Sequence, residues 1–281
     1  MDGFIIIDKP KGITSFSLCN QVRKKLNLNK TGHNGTLDPN ATGLMVIACD
    51  KATKLMRLIN EHDKEYIAEI IFGKTSDTLD IDSIVSDGKY NSFTKEELLN
   101  AIDKLKHEEE QLPPMTSAIK VDGKKLYEYQ RKGIEVKVEK RKVKINDIEL
   151  IEYDINNKKC IIKLNVSKGF YVRSFARDLG ILLNSDAIIS ELRRTKIDNL
   201  DIKDSITLDD LNTNNIIKIE DFFDFPKVEV SDYIAKLVKN GVTLDERQTT
   251  IKGIFFVTNK CDIIAVYEEI DVNKYKPILI F

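Results

Sequence analysis

Residues 31–43 read TGHNGTLDPNATG. Gly32, Gly35 and Gly43 punctuate the stretch, and Pro39 removes a backbone donor while pushing Asp38 out of the helical region. No regular element is expected here. What remains is a tight polar loop that presents one imidazole, His33, and one carboxylate, Asp38. An Asp-Pro pair is ordinarily a turn and nothing more; the alternative is a carboxylate held still for chemistry. The other chemistry-bearing residues exclude more than they suggest. Cys19, Cys49, Cys160 and Cys261 show no CxxC spacing, and His33, His62 and His107 have no metal-ligand spacing. No metal and no disulfide framework are expected. The chain has no Walker loop and no GxGxxG after a strand, so no nucleotide cofactor is expected either.

Charge adds a second indication. The 44 basic and 45 acidic residues nearly cancel, so no global field would attract a polyanion. Their distribution is uneven. Residues 1–57 hold nine Lys/Arg and four Asp, residues 120–144 ten Lys/Arg and four acids, and residues 158–177 six Lys/Arg and no acid. Residues 76–110 hold ten acids against four Lys. A charge run is ordinarily a solvated face, but three separated basic blocks in a neutral chain suggest a basic surface for a polyanion. No apolar run approaches the roughly 20 residues that span a bilayer, and the start, MDGFIIIDKPKG, is too short in apolar residues for a signal peptide. A cytoplasmic protein without membrane contact is expected.

The elements that must position Asp38 follow from periodicity. Phe4 to Asp8 reads as a strand halted by Pro10, and Thr14 or Ser15 caps a helix carrying Leu18, Val22 and Leu26. GLMVIAC reads as a strand followed by a short helical turn. KEYIAEIIFG alternates Tyr66, Ala68, Ile70 and Phe72 against Ile67, Glu69 and Ile71, a strand covered on both sides. Thr94 and Glu97 form a capping box that opens a helix to about Lys106. Pro113 and Pro114 forbid a helix over QLPPMTS. A basic segment follows, with a helical stretch near KKLYEYQRKG. Residues 160–166 read as a strand, Tyr171 to Leu183 as a helix, and AIISELRRT as a second helix. After Phe225-Pro226 short apolar runs broken by Gly and Asn predict a small all-β module. The expected class is α+β with a mixed, largely antiparallel central sheet flanked by helices and loops. Residues 1–226 would form the main domain, with a basic RNA-contacting segment at 111–150, and 227–281 the small β module.

The motif GHNGTLDPNATGLM (32–45) closely resembles the catalytic motif of the TruB-type tRNA pseudouridine synthases. DKPKGITS (8–15), KEYIAEIIFGKTSDTLD (64–80), QLPPMTSAIKVDGKKLYEYQRKG (111–133), SKGFYVRSFARDLG (167–180) and ELRRT (191–195) match the family in the same order. The resemblance implies the pseudouridine synthase fold and the isomerisation of a uridine to pseudouridine in the tRNA T-loop, at position 55, without cofactor or metal. It implies the tRNA T stem-loop as partner and a C-terminal module of the PUA type; nothing in the sequence requires more than a monomer.

Residue by residue, Asp38 matches the catalytic aspartate, Arg173 its arginine partner, which would lower the carboxyl pKa, and Tyr66 the tyrosine that stacks on the flipped base. Arg173 also reads as a phosphate contact and Tyr66 as a core residue. His33 matches the residue that fills the emptied stack, and Tyr171 and Leu192 match pocket-lining positions, with core packing an equal reading for Leu192. Lys168, Lys120, Lys124 and Lys125 are assigned to phosphate. Asn34 and Asn40 stand where the family has threonine and an apolar residue, Thr116 where tyrosine is usual, and Asp198 where glycine is common. SDAIIS (185–190) lacks a histidine often found there. These departures leave open a rival class, a tRNA-binding or folding-assistance protein with lost or secondary catalysis, and also a synthase with another RNA target.

Overall fold

The computed structural model describes every residue except Glu61, Ala118, Arg131, Glu135 and Cys261, so one of the four cysteines and one arginine of the basic block lie outside the described residues. In chain order the main elements are β1 (Gly3–Lys9), α1 (Ser15–Lys25), β2 (Thr31–His33), β3 (Thr42–Cys49) and β4 (Lys64–Phe72), then α2 (Lys95–Lys106), β5 (Ile145–Asp154), β6 (Lys159–Val166), α3 (Val172–Leu182), β7 (Ala187–Ile197) and β8 (Ile217–Lys218). The C-terminal part contributes β9 (Lys227–Glu229), α4 (Asp232–Lys239), β10 (Leu244–Asp245), β11 (Ile254–Asn259), β12 (Asp262–Asp271) and β13 (Lys274–Ile280).

The central sheet runs β5-β6-β4-β7-β3-β1-β8, with β2 added beside β3. Its pairs are antiparallel except β7 and β3, which meet in parallel at Arg193↔Thr42 and Arg194↔Gly43. The near-continuous apolar runs of β1 and β3 have a simple cause, because both strands are covered on two faces. Ile5, Ile7, Met45 and Ile47 point into a core shared with α1, α2 and α3. Phe4, Ile6, Leu44 and Val46 point the other way, into a second core closed by Phe256, Val266 and Leu279 of the C-terminal sheet. Burying each of those side chains contributes about 1.5–3 kcal/mol relative to leaving it exposed.

Caps and turns agree with the sequence at several points. Thr14 Oγ1 accepts from Ser17 N at 3.0 Å to start α1, and the Thr94–Glu97 capping box starts α2. Two expectations fail. Residues 31–33 of the polar loop form β2, because β3 offers a free edge for the register Thr31↔Cys49 to His33↔Ile47. AIISELRRT is not a helix but the middle of β7. Two bulges, between Ile189 and Glu191 and between Arg194 and Lys196, break its alternation against β4. The resulting spacing of Ile188, Ile189 and Leu192 imitates a helical face, while pairing with both β4 and β3 holds the chain extended.

The C-terminal sheet runs β9-β11-β12-β13-β10. The module also contains α4, which Ser231 caps and whose Ala235 and Val238 are buried, so it is not made of strands alone.

Candidate active site

Asp38 sits on a loop tied down from several directions. Asn34 clasps β3 twice, donating its N–H to Val46 O at 3.2 Å and accepting from Val46 N at Oδ1, 2.9 Å. Ser15 Oγ both donates to Leu37 O and accepts from Leu37 N, each at 2.9 Å. Gly12 N donates to Pro39 O at 2.8 Å. The fully buried Lys9 donates from Nζ to Pro10 O, Pro39 O and Ala41 O at 3.0, 3.1 and 2.6 Å. Burial lowers the Lys9 pKa to about 8, against the opposing pull of Asp82 and Asp38. Arg194, also buried, donates from Nε to Leu44 O at 2.7 Å and reaches Gly35 O at 3.4 Å. Gly43 has to be glycine: its φ is +110°, and a Cβ would lie 2.3 Å from Arg194 O.

Arg173, the second residue of α3, brings the cation. Its Nε lies 3.1 Å from Asp38 Oδ2 and 3.6 Å from Asp80 Oδ2. The terminal nitrogens donate to Asp38 Oδ1 at 3.4 Å, Thr78 O at 2.8 Å, Thr116 Oγ1 at 2.5 Å and Thr116 O at 3.2 Å. Asp80 is itself held by Thr78 Oγ1 at 2.6 Å and by Asp82 N at 2.8 Å. Asn40 donates to Asp82 and so links the two loops. The pKa of Asp38 is raised, contrary to the sign expected from an arginine partner. Burial pushes the carboxyl up and Asp80 adds to that, while Arg173 and Lys9 pull it back only in part. Asp82 is raised for the same reasons, burial first and then Asp80 and Asp38.

Asp38 and Arg173 line a cleft of about 560 Å³, together with Tyr66, Thr116, Ser117, Tyr171 and Leu192 among others. Tyr66 is buried in the core and also lines the cleft. Burial raises the Tyr171 pKa and the nearby Ser117 hydroxyl opposes the rise. Gln111 fixes Tyr171 through a reciprocal pair, Nε2 to Tyr171 O at 3.0 Å and Tyr171 N to Oε1 at 2.8 Å. Lys64 and Lys125 line the cleft, whereas Lys120 and Lys168 are exposed outside its lining. His33 lies on β2, also outside the lining; its Nδ1 is buried without a hydrogen-bond partner, and burial and Arg194 lower its pKa. A wider groove of about 910 Å³ beside α2 and α3 has a largely apolar wall that includes Phe170, Phe175 and Ile181, and does not contain the Asp38 group.

Asp80, Thr116, Lys9 and Arg194 were not singled out for the site by sequence reasoning. Asp80 was masked by the acidic run around it, and Arg194 by the helical reading of its strand.

The family model described as TruB family pseudouridylate synthase (N terminal domain) matches residues 23–172. The chain belongs to this family. Two curated TruB relatives named tRNA pseudouridine synthase B extend the match over nearly the whole chain. That of Acholeplasma laidlawii is 40% identical over 277 residues, 98% of this chain and 98% of its own. That of Clostridium tetani is 37% identical over 275 residues, 96% of this chain and 93% of its own. Among solved structures, the "Crystal Structure of a Cbf5-Nop10-Gar1 Complex" aligns with a TM-score of 0.69 and 23% identity, covering 99% of this chain and 83% of that one. That likeness shows the fold, and it agrees with the expected pseudouridine synthase architecture for this TruB-family chain.

Proposed function

We propose that this TruB-family enzyme isomerises uridine to pseudouridine in the T-loop of tRNA, at position 55, working in the cytoplasm as a monomer on the T stem-loop. The observation that carries the reading is the Asp38 carboxylate, 3.1 Å from the buried Arg173 Nε, lining a cleft of about 560 Å³. A cleft of this size suits one extruded nucleotide.

The uridine leaves its stack at a cost of a few kcal/mol. Stacking on the Tyr66 ring at the cleft wall returns about 1–3 kcal/mol. Asp38 supplies the anion that stabilises or traps the sugar or base as the C1′–N1 bond breaks, the uracil turns, C5 joins C1′, and the proton lost from C5 is matched by one gained at N1. Arg173 fixes the orientation of that carboxylate and opposes the rise that burial imposes on it. In this reading the Tyr66 phenol assists removal of the C5 proton, Tyr171 and Leu192 border the base, and His33 takes the emptied stack. Lys64, Lys120, Lys124, Lys125 and Lys168 meet phosphates. In this reading residues 227–281 form a reduced PUA-like module. The three basic blocks all lie within residues 1–226, so this reading puts the basic surface there.

The rival reading, a tRNA-binding or folding-assistance protein, rests on the altered loop residues Asn34 and Asn40. Both are hydrogen-bonded into the loop's supports, which leaves that reading without an observation in its favour. The experiment maps pseudouridine in an unmodified tRNA transcript by carbodiimide-blocked primer extension, with Asp38→Asn in parallel. A stop in the T-loop that the variant loses, with tRNA affinity retained, is expected. RNA binding without any stop overturns the catalytic reading, and a stop elsewhere overturns the substrate.

A further inference from the structure

The Arg173 guanidinium lies between two carboxylates. Its Nε is 3.1 Å from Asp38 Oδ2 and 3.6 Å from Asp80 Oδ2. Asp80 is the better-braced anion, since Thr78 Oγ1 and Asp82 N both donate to its Oδ1. A cation in that position has two carboxylates within reach, and only about 0.5 Å separates its distances to them. Thr116 contacts both terminal nitrogens: NH1 donates to its Oγ1 at 2.5 Å, and NH2 donates to its carbonyl at 3.2 Å. NH2 is also the nitrogen that reaches Asp38 Oδ1, at 3.4 Å.

Thr116 is itself firmly referenced to α3. Gln111 makes its reciprocal pair with Tyr171, Ser174 Oγ donates to Leu112 O at 2.8 Å, and Pro113 and Pro114 stiffen the intervening backbone. The segment 111–116 therefore acts as a template against which the first turn of α3 is set. Thr116 is also a point where this chain departs from the family pattern, which has tyrosine there.

We propose that Thr116 is a positioning residue for the reaction, whose side-chain hydroxyl holds the Arg173 guanidinium on Asp38 and keeps it from pivoting to Asp80. The inference rests on the reading of Asp38 and Arg173 as the catalytic pair. A misplacement of about 1 Å at such a pair costs up to about a hundredfold in rate.

The test compares Thr116→Val, which keeps the shape and loses the hydroxyl, with Thr116→Ser, which keeps the hydroxyl. In Thr116→Val the single-turnover rate on tRNA should fall roughly tenfold to a hundredfold, with tRNA affinity and melting temperature held. Thr116→Ser should restore the rate. The second readout needs no turnover: the Asp38 carboxyl is titrated by 13C NMR in protein without RNA. Asp38 faces Arg173 and Tyr171 from the start of α3, Lys9 from β1, and Asp80 and Asp82 from the loop after β4. Arg173 is the main group holding its pKa down, so loosening the guanidinium should move the titration upward in Thr116→Val and not in Thr116→Ser. An unshifted titration with an unchanged rate in Thr116→Val overturns the proposal, as does a serine variant as impaired as the valine one. A wild-type protein that forms no pseudouridine, yet shows the titration shift, removes the catalytic reading while upholding the positioning role.

Discussion

Replacing Lys9 by methionine tests how a buried ammonium can brace the catalytic loop. Two effects of similar size oppose each other. The variant leaves Ala41 O, a buried carbonyl, without its donor at 2.6 Å, which costs about 1–3 kcal/mol. The carbonyls of Pro10 and Pro39 are only partly buried and can recover solvent, so they add less. Against this, methionine removes the cost of holding a charge out of water. An unfolded lysine titrates at 10.5, whereas burial brings Lys9 to about 8, and that difference corresponds to about 3 kcal/mol against the charged form. At pH 7 the two nearly cancel, and the variant should lie within about 2 kcal/mol of the parent.

The pH dependence separates them. Between about 8 and 10.5 the unfolded chain keeps the Lys9 proton while the folded chain has released it. The unfolded state therefore binds more protons, and stability contributed at this site rises with pH through that window. Lys9→Met has no such group. Urea unfolding at a series of pH values should show the parent gaining about 3 kcal/mol over the variant by the top of the window. Parallel stability curves for the two proteins would refute the reasoning. Abolished turnover with unchanged stability would instead mean that Lys9 acts in the chemistry itself.

Gly43→Ala should lose roughly 2–5 kcal/mol of stability in the same assay, because the new Cβ meets Arg194 backbone in a left-handed conformation; a loss under about 1 kcal/mol would contradict the packing described. Asp80→Asn removes an anion that pushes Asp38 up and competes for Arg173, so the acid limb of the rate–pH profile should move to lower pH. An unchanged limb would show that Asp80 does not act on the pair. Changing Lys120, Lys124 and Lys125 together to glutamine should flatten the salt dependence of tRNA binding by about one in log–log slope for each phosphate no longer neutralised. An unaltered slope would place the phosphate surface elsewhere.

The sequence revealed what is local. Short apolar runs marked β1 and β3, alternation marked β4, the Thr94–Glu97 pair marked α2, and glycine and proline marked the Asp38 loop. It misled where tertiary pairing overrode local spacing, as in β7, whose bulged residues Ile188, Ile189 and Leu192 look helical when read without their neighbours. Motifs pointed to Asp38, Tyr66 and Arg173, and the fold brings Asp38 and Arg173 together across 135 positions of sequence. They did not point to Thr116 or Lys9, which meet the site through a backbone carbonyl, a hydroxyl and a buried ammonium, groups that leave no periodic trace. The rise in the Asp38 pKa was equally hidden, because it depends on burial and on a second carboxylate brought in by the loop after β4.

The two faces of β1 and β3 carry one more consequence. The loop holding Asp38 runs into β3 and is tied to Lys9 of β1, and Phe4, Ile6, Leu44, Val46 and Ala48 of these strands share a core with the C-terminal sheet. Catalytic geometry and the distant end of the chain are thus joined in one cooperative unit, which calorimetry should record as a single melting transition. Loops around the cleft are free to drift and retune which RNA is accepted. The back wall is not: a slackened β11 or β12 would be felt at the carboxylate, so selection on chemistry also polices residues that never come near the substrate.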